Sequence, residues 1–398
     1  MTHDVVEIAQ ELIQIPSVNP MGHTTDEKVP VEEGVTTYLK SFCESRNLPY
    51  EIQDVAPGRQ NVLAMLPGKK AGPVILLDAH QDTVPVEGMV IDPFAGKIDR
   101  GRLWGRGACD VKGGMAAILA ALETLTESEN HGTVLASFTC DEEHQQWGAQ
   151  RLVAGWEPAE TPGTDHFTPS SFPRPDLAVI TEPTQLDVVV AHRGVIRWTL
   201  STEGQAAHSS QPELGTNAIY RMAEVVRVME EIASTLGDRI SPHPLCGPAT
   251  LSVGTIHGGS SVNVVPDACE IHIDRRLLPG EVAWVAHAEV SQQLADELDF
   301  KVTASEPWCL SDPLVDQGNE SLAENLGTVA RQVSGAGQPI GVSYGTHAPR
   351  FAAAGIPTVV FGPGNIQQAH TKNEWIELQA MHHAVDILVQ FCRGSYEV

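Results

Sequence analysis

Basic residues are scarce in this 398-residue chain, which has 25 lysines and arginines against 51 aspartates and glutamates, a formal net charge of −26. Nucleic acids and anionic membranes bind through clustered basic side chains, so we expect neither as a partner. The chain also lacks an apolar run of the roughly 18–20 residues that span a bilayer. Its first residues lack the basic and then apolar stretch of a secretion signal. We therefore expect a soluble, cytoplasmic protein.

Cysteine is sparse as well. The seven cysteines are scattered and form no C-x-x-C pair, which disfavours a disulfide scaffold and a zinc ribbon. Neither Cys109 nor Cys140 lies in a recognisable nucleophile motif, so a cysteine-nucleophile enzyme is also disfavoured. Hydrophobic residues make up 42% of the chain, which is enough for a folded core and too many for a disordered chain.

The order of sequence patterns predicts two domains, one inserted into the other. Short β-branched runs alternate with helical patterns, which is typical of an α/β sheet covered by helices. From about Arg193 the order becomes β-α-β-β-α-β, which fits two helices on a four-stranded antiparallel sheet. Alternating elements return after about Pro307. In the first domain, strands are predicted at Asn61–Leu66, Pro73–Ala79, Thr133–Thr139, Asp176–Thr181 and Pro357–Phe361, and helices at Val5–Ile15, Val31–Asn47, Gly113–Thr126, Ser321–Val333 and Gln379–Cys392.

These patterns set the predicted domain boundaries. The first domain is expected to be discontinuous and to comprise residues 1–191 and 307–398, with the inserted domain at residues 192–306. A stretch rich in Pro, Thr and Ser at 157–175 is predicted to be a long surface loop.

Residues with metal-ligand chemistry follow several predicted strands, where ligands bind in open α/β sheets. His80 and Asp82 come directly after an apolar run, and a carboxylate there can orient a metal-bound imidazole. The alternative is that this H-x-D is a surface turn. Asp110 lies in a glycine-rich loop before a predicted helix, where it could instead be a helix-start carboxylate. A phosphate loop is excluded, because the third glycine is absent and Lys112 is misplaced.

Three adjacent acidic residues, Asp141, Glu142 and Glu143, follow another predicted strand. Carboxylates this close must be neutralised by a cation or lie open to water as a solvated turn. Glu182 and His370 also follow predicted strands. Two histidines and three carboxylates suit two divalent cations such as Zn²⁺, with one carboxylate bridging and Glu142 left as a base. Such a site lowers the pKa of a water molecule and polarises a carbonyl.

The ordered set of motifs resembles the two-zinc hydrolase family of acetylornithine deacetylase, succinyl-diaminopimelate desuccinylase, aminoacylase and glutamate carboxypeptidase. The resemblance covers nearly the whole chain and includes IPSVNP at Ile15–Pro20. It implies a catalytic domain with a mixed, mostly parallel sheet flanked by helices, as in zinc aminopeptidases, and an inserted α+β ferredoxin-like lid or dimerisation domain. It also implies two divalent metal ions per chain, Zn²⁺ first with Co²⁺ or Mn²⁺ as alternatives, and a homodimer formed through the lid domain.

The resemblance also implies residue roles. Five residues match the metal ligands of the family: His80, Asp110, Glu143, Glu182 and His370. Asp110 would bridge the two ions, with His80 and Glu182 on one ion and Glu143 and His370 on the other. Glu142 would be the general base, and Asp82 would support His80.

Four further residues match positions that contact substrate in the family. His208, in AAHSSQPELGTNAI, would reach into the partner's site and stabilise the oxyanion. Asn263 and Arg276 would hold the substrate's carboxylate or carbonyl, and Arg350 looks like the desuccinylase arginine. Without the resemblance, His208 would be a polar loop residue and Arg276 a solvated strand-end charge.

The sequence therefore predicts a metal-dependent amidohydrolase that cleaves a small N-acyl amino acid, closest to acetylornithine deacetylase because Gly362–His370 most resembles that enzyme. A carboxypeptidase or dipeptidase acting on a small peptide, or a succinyl-diaminopimelate desuccinylase, stays open on the same site. A non-catalytic metal- or peptide-binding protein is the alternative from another class. Two features depart from the family: His144–Trp147 replaces small residues, and His347 stands where an acidic residue is frequent.

Overall fold

The computed structural model describes residues 4–22, 31–127, 130–156 and 170–394. The α-helices in these ranges are α1 (Val5–Ile13), α2 (Glu33–Ser45), α3 (Gly113–Thr126), α4 (Trp147–Ala154), α5 (Ala218–Arg239), α6 (Ala283–Glu297), α7 (Glu320–Ser334), α8 (Ala348–Ala353) and α9 (Leu378–Arg393). The strands are β1 (Tyr50–Ala56), β2 (Arg59–Leu66), β3 (Lys70–His80), β4 (Lys97–Asp99), β5 (Arg102–Trp104), β6 (His131–Thr139), β7 (Leu177–Ile180), β8 (Val188–His192), β9 (Gly194–Glu203), β10 (Thr250–Gly258), β11 (Ala268–Leu277), β12 (Val302–Ala304), β13 (Cys309–Ser311), β14 (Pro339–Val342), β15 (Thr358–Val360) and β16 (Trp375–Glu377). Most of the predicted loop at 157–175 lies outside the described residues. None of the described helices is both long and apolar enough to cross a bilayer.

The chain divides into two compact units. Unit 1 comprises Met1–Val190, Asp316–Ile340 and Thr346–Val398, and unit 2 comprises Ala191–Val315 and Gly341–Gly345. Unit 1 is therefore built from separate stretches of the chain. The assignment of residues 192–306 as a lid or dimerisation domain stays a prediction.

The large sheet has the strand order β1-β2-β6-β3-β7-β15-β8-β14. Its central strands β6, β3, β7 and β15 pair in parallel with one another, whereas β1–β2, β2–β6 and β15–β8 are antiparallel pairs. All four residues of β7 are buried, as expected for a strand with both faces covered. The predicted mixed, mostly parallel sheet flanked by helices is confirmed, with the parallel pairs concentrated at its centre.

Helix α3 lies inside the core of unit 1. Eleven of its fourteen residues are buried, because small and apolar side chains cover the whole circumference of the helix. A Cβ at Gly114 would overlap Cγ2 of Thr181, which follows β7. Glycine at this position therefore lets the start of α3 approach the carboxyl end of β7.

Unit 2 contains the predicted β-α-β-β-α-β order, which is confirmed. Its strands pair in the order β10-β11-β9-β12, all antiparallel, and a further short strand, β13, also pairs with β9. Along β11 the residues from Cys269 to Arg275 alternate between buried and less buried positions. The buried positions join residues of α5 and α6 in one apolar core.

A small antiparallel sheet has the order β16-β5-β4. In its register Trp375 lies opposite Trp104, and the N–H of Gly105 donates to the carbonyl of Glu374 over 3.1 Å. This pairing places residue 374 directly beside the loop that leads to α3.

Candidate metal centre and active site

The carboxyl ends of the parallel strands carry most of the predicted site residues. β3 ends at His80, β6 ends three residues before Glu142, and β7 ends two residues before Glu182. The register pairs His80 with Thr139, which holds the ends of β3 and β6 level. The strand topology therefore brings segments that are far apart in sequence to one edge of the sheet.

Asp110 lies between two histidines. Its Oδ1 is 3.0 Å from Nε2 of His80, and its Oδ2 is 3.2 Å from Nε2 of His370. The Nε2 of His370 is also 3.3 Å from Oε1 of Glu143, and the Nε2 of His80 is 3.8 Å from Oε1 of Glu182. The five predicted metal-ligating side chains thus form one cluster centred on Asp110.

The buried carboxylates of the cluster repel one another. Burial and the charge of Asp110 raise the pKa of both Glu143 and Glu182 above the usual value for a carboxyl group. Burial alone would raise the pKa of Asp110 too, but hydrogen bonds with His370 and His80 outweigh it and lower that pKa. Three carboxylates this close need additional positive charge to be ionised together.

The donor set fits divalent cations. Ligand atoms of His80, Asp110 and Glu143 all lie within 4.8 Å of one another, and so do those of His80, Glu142 and Glu182. Carboxylate oxygens and imidazole nitrogens are the usual ligands of ions such as Zn²⁺. A bound cation would supply the charge that the buried carboxylates lack.

Asp82 contacts His80 most closely through its backbone carbonyl. The Nδ1 of His80 lies 2.8 Å from the backbone carbonyl of Asp82 but 3.7 Å from its carboxylate. A hydrogen bond to that carbonyl places the ring proton on Nδ1 and leaves the Nε2 lone pair for a metal. The carboxylate instead accepts from the backbone N–H groups of Glu142 and Glu143, at 3.1 and 3.2 Å. Asp82 therefore fixes the segment that carries the predicted base.

An arginine whose side chain is 11% exposed lies beside this segment. Arg59 donates to the carboxylates of Glu32 and Asp141, and its guanidinium is 4.0 Å from Asp82. Asn19 donates to both Asp82 and Asp141, at 2.7 and 3.0 Å. Neither Arg59 nor Glu32 belongs to a motif, so neither was predicted from the sequence.

Glu374 holds the loop that carries Asp110. Its carboxylate accepts from the backbone N–H groups of Gly107, Cys109 and Asp110, at 3.1, 2.8 and 3.0 Å. It also accepts from Arg106 at 2.7 Å and is fully buried. Gly107 has φ +81°, which glycine adopts without strain. Glu374 was not predicted from the sequence, where its one signal is its position four residues after His370.

His347 lies on the other side of the predicted base. Its Nε2 is 2.6 Å from Oδ1 of Asp78, and its Nδ1 is 3.6 Å from Oε1 of Glu142. His347 and Asp78 are fully buried. Arg350 lies on α8 and is half-buried, and its backbone N–H donates to the carbonyl of His347.

The other predicted substrate-binding residues belong to unit 2. His208 and Asn263 lie on adjoining exposed loops, because the N–H of Ser209 donates to the carbonyl of Asn263 over 3.1 Å. Arg276, which is half-buried, donates to both carboxylate oxygens of Asp274, at 2.8 and 3.3 Å. Its guanidinium is thus already paired on the outer face of β11.

The chain contains one match to the serine-nucleophile pattern G-x-S-x-G, at Gly341–Gly345. In nucleophile elbows the serine lies on a strained turn and is paired with a histidine. Ser343 has no positive φ, and no described residue forms a hydrogen bond with its hydroxyl. The structure therefore gives no support to a serine nucleophile.

Comparison with known proteins agrees with this geometry. The model of peptidase family M20/M25/M40 matches residues 76–394. Acetylornithine deacetylase of Proteus mirabilis (strain HI4320) is 31% identical over 400 residues, covering 97% of this chain and 95% of that protein. The chain therefore belongs to peptidase family M20/M25/M40 and is a hydrolase of amide bonds.

Solved structures share the fold over almost the full length. A tripeptidase from Staphylococcus aureus superposes with a TM-score of 0.75 at 20% identity, covering 98% of this chain and 97% of that one. A family M20 metallo-carboxypeptidase from Sulfolobus solfataricus gives a TM-score of 0.76 at 16% identity, with coverages of 98% and 99%. At 20% and 16% sequence identity, these similarities show that the fold is shared.

Proposed function

We propose that the protein is a two-metal amidohydrolase that removes the acyl group from a small N-acyl amino acid. The observation that carries this proposal is the placement of Asp110, with each carboxylate oxygen facing the Nε2 of a different histidine. One carboxylate between two such ligands suits a pair of cations that share it. The 31% identity with an acetylornithine deacetylase supports deacylation as the reaction.

The metal ligands are proposed to be those that the sequence indicated. His80, Asp110 and Glu182 would hold one ion, and Asp110, Glu143 and His370 the other. We expect Zn²⁺, and Co²⁺ or Mn²⁺ could replace it in such a donor set. When bound, the ions polarise the substrate carbonyl and make a water molecule more acidic.

Glu142 is proposed to move the proton in this reaction. Its carboxylate lies with His80 and Glu182 inside a 4.8 Å cluster, and Asp82 fixes its backbone. Glu142 takes a proton from the attacking water and passes it to the nitrogen of the leaving amine. The amide C–N bond breaks, and the products are a carboxylic acid and a free amine.

His208 is proposed to donate a hydrogen bond to the oxyanion. The N–H of Ser210 donates to Nδ1 of His208, so the neutral imidazole carries its proton on Nε2. Nε2–H is then available as a donor. In other hydrolases one oxyanion donor stabilises the transition state by about 3–4 kcal/mol. Asn263, Arg276 and Arg350 are proposed to hold the substrate. Arg276 has further N–H groups beyond the two that Asp274 engages.

We further propose a homodimer formed through unit 2, in which His208 acts on the partner's site. Unit 2 exposes Tyr220 and Val262, which line the same surface groove, and a contiguous exposed apolar patch is typical of an interface. Mixing inactive His208→Ala with inactive Glu142→Ala tests this arrangement, because mixed dimers would contain one complete site. Sedimentation as a monomer, or no recovered activity after subunit exchange, would contradict it.

Amide hydrolysis measured on a substrate panel tests the proposed function. The panel contains N-acetyl-ornithine, N-succinyl-diaminopimelate and small dipeptides, offered to the chelated protein and again after Zn²⁺, Co²⁺ or Mn²⁺ is restored. We expect metal-dependent cleavage, with the acetylated substrate preferred. Preference for the succinylated substrate would assign a desuccinylase instead.

An exopeptidase is the second candidate function. The family match is to peptidases, and the fold is shared with a tripeptidase and a metallo-carboxypeptidase. Cleavage of dipeptides alone in the same panel would favour this candidate. Tight metal binding with no turnover on any substrate would favour a binding protein on this fold.

A further inference from the structure

We propose that Asp78 and His347 form a positioning pair for Glu142, in which Asp78 holds one ring nitrogen of His347 and the other holds the Glu142 carboxylate. Neither Asp78 nor His347 is one of the proposed metal ligands. The inference rests on Glu142 being the proton-transferring residue of the proposed function.

His347 is held in one orientation. Its Nε2 is 2.6 Å from Oδ1 of Asp78, and its ring lies 5.9 Å from that of Phe351. Asp78 in turn accepts hydrogen bonds from the hydroxyls of Ser137 and Thr139. All of these side chains are buried, so the imidazole has little freedom to rotate.

The other ring nitrogen of His347 points to Glu142. Nδ1 is buried and has no hydrogen-bond partner in the described part of the chain, and Oε1 of Glu142 lies 3.6 Å away. A buried nitrogen without a partner is costly, so its position calls for a function. Among the described residues, Nδ1 of His347 is also the one ion-pair partner that the Glu142 carboxylate has.

This arrangement resembles a catalytic triad in its logic. A carboxylate fixes the imidazole, and the imidazole fixes the group that transfers the proton. The backbone N–H of Glu142 donates to the carboxylate of Asp82, which holds the Glu142 main chain but leaves its side chain free to adopt other rotamers. His347 therefore supplies the restraint that selects the rotamer in which Glu142 faces the attacking water.

Two isosteric variants separate the two ring nitrogens. The amide nitrogen of Asn occupies approximately the position of Nδ1, and that of Gln approximately the position of Nε2. We expect His347→Gln, which loses the donor facing Glu142, to lose ~10-fold or more in kcat while KM and metal content stay unchanged, since a positioned base contributes ~10²–10⁴-fold. His347→Asn keeps a donor facing Glu142 but loses the hold of Asp78, so its kcat should fall less than that of His347→Gln. The reverse order would show that the pairing with Asp78 is only structural, and would overturn the proposal.

A double-mutant cycle tests whether His347 acts through Glu142. In a Glu142→Ala background, His347→Gln should cause no further loss of kcat, because the residue it positions is gone. Losses that multiply would overturn the proposal. If Glu142→Ala alone retains wild-type turnover, the proposed function fails, and the positioning pair is then decided by the spectroscopic test.

The spectroscopic test uses metal-free protein labelled with ¹⁵N-histidine. The His347 signals are assigned by their loss in His347→Gln. Glu142→Gln should shift the Nδ1 resonance of His347, and Asp78→Asn should shift its Nε2 resonance, at constant melting temperature. An unchanged Nδ1 signal in Glu142→Gln would overturn the proposal whether or not the enzyme is active.

Discussion

Glu374 accepts a hydrogen bond from the backbone N–H of Asp110 over 3.0 Å, although 264 residues separate the two in sequence. The same carboxylate also binds the N–H groups of Gly107 and Cys109. It therefore shapes the whole turn that presents Asp110 to both histidines. Residues that orient metal ligands in this way affect metal affinity almost as strongly as the ligands do.

Replacement of Glu374 is expected to weaken metal binding. In Glu374→Gln the amide cannot accept as many hydrogen bonds, so the Asp110 turn loosens. Metal affinity should fall by about 10–100-fold, measured by competition with a chelator. Glu377→Gln is the control, because Glu377 lies in the adjoining strand β16 but is exposed. Equal affinities of the two variants would show that Glu374 does not orient the centre.

Replacement of Glu142 is expected to separate chemistry from metal binding. Glu142→Ala should lose ~10²–10⁴-fold or more in kcat, because the variant lacks the carboxylate that is proposed to move the proton. Metal content by elemental analysis should equal that of the wild type, since five other side chains form the cluster. Wild-type-like rates would exclude this residue as the base, and loss of metal would make it a ligand instead.

Arg59 is expected to be essential for stability. It donates to the buried carboxylates of Glu32 and Asp141, so Arg59→Met removes their ion-pair partner. Uncompensated buried charges of this kind should lower the free energy of unfolding by about 3–5 kcal/mol. Denaturant unfolding of the metal-free protein measures this loss.

The control for Arg59 is Arg227→Met, which removes an exposed pair with Glu231. Pairs of this kind contribute at most about 1 kcal/mol. Similar losses in the free energy of unfolding of the two variants would mean that the carboxylates of Glu32 and Asp141 are solvated or protonated in the folded protein.

Gly114 is expected to tolerate no side chain. An alanine Cβ there would overlap Cγ2 of Thr181, and overpacking of a core costs about 1–3 kcal/mol. Thr181→Ser removes that methyl group, so it should recover part of the loss in the double variant. Gly237→Ala is the matched control, because it lies in helix α5 with nothing within 4 Å. Gly237→Ala should raise the free energy of unfolding by up to about 1 kcal/mol. A neutral Gly114→Ala would show that α3 can shift away from β7.

The sequence predicts the cluster well because each of its members has a local signal. His80 ends a buried strand and Asp110 precedes a helix, and both elements could be identified from hydrophobic periodicity. The predicted helix Gly113–Thr126 agrees with α3 at both ends, and the predicted strand Pro73–Ala79 lies within β3.

The residues that support the cluster could not be predicted in the same way. Arg59, Asp78 and Glu374 act through contacts with segments distant in sequence, and no short pattern marks them. The helices and strands that were not predicted also have weak sequence signals. Helix α4 starts after Gln146, which has φ +57° and no capping bond, and β4 and β16 have only three residues each.

The discontinuity of unit 1 has a consequence for synthesis on the ribosome. Residues 4–190 contain His80, Asp110, Glu143 and Glu182, but His347, His370 and Glu374 follow only after unit 2 has been translated. His370 and Glu374 are therefore absent from the nascent chain while most of unit 2 is being made. The emerging segment from Thr346 onward then completes the site. His370, a proposed metal ligand, is therefore among the last parts of the candidate site to be synthesised, and the complete proposed site cannot form before then.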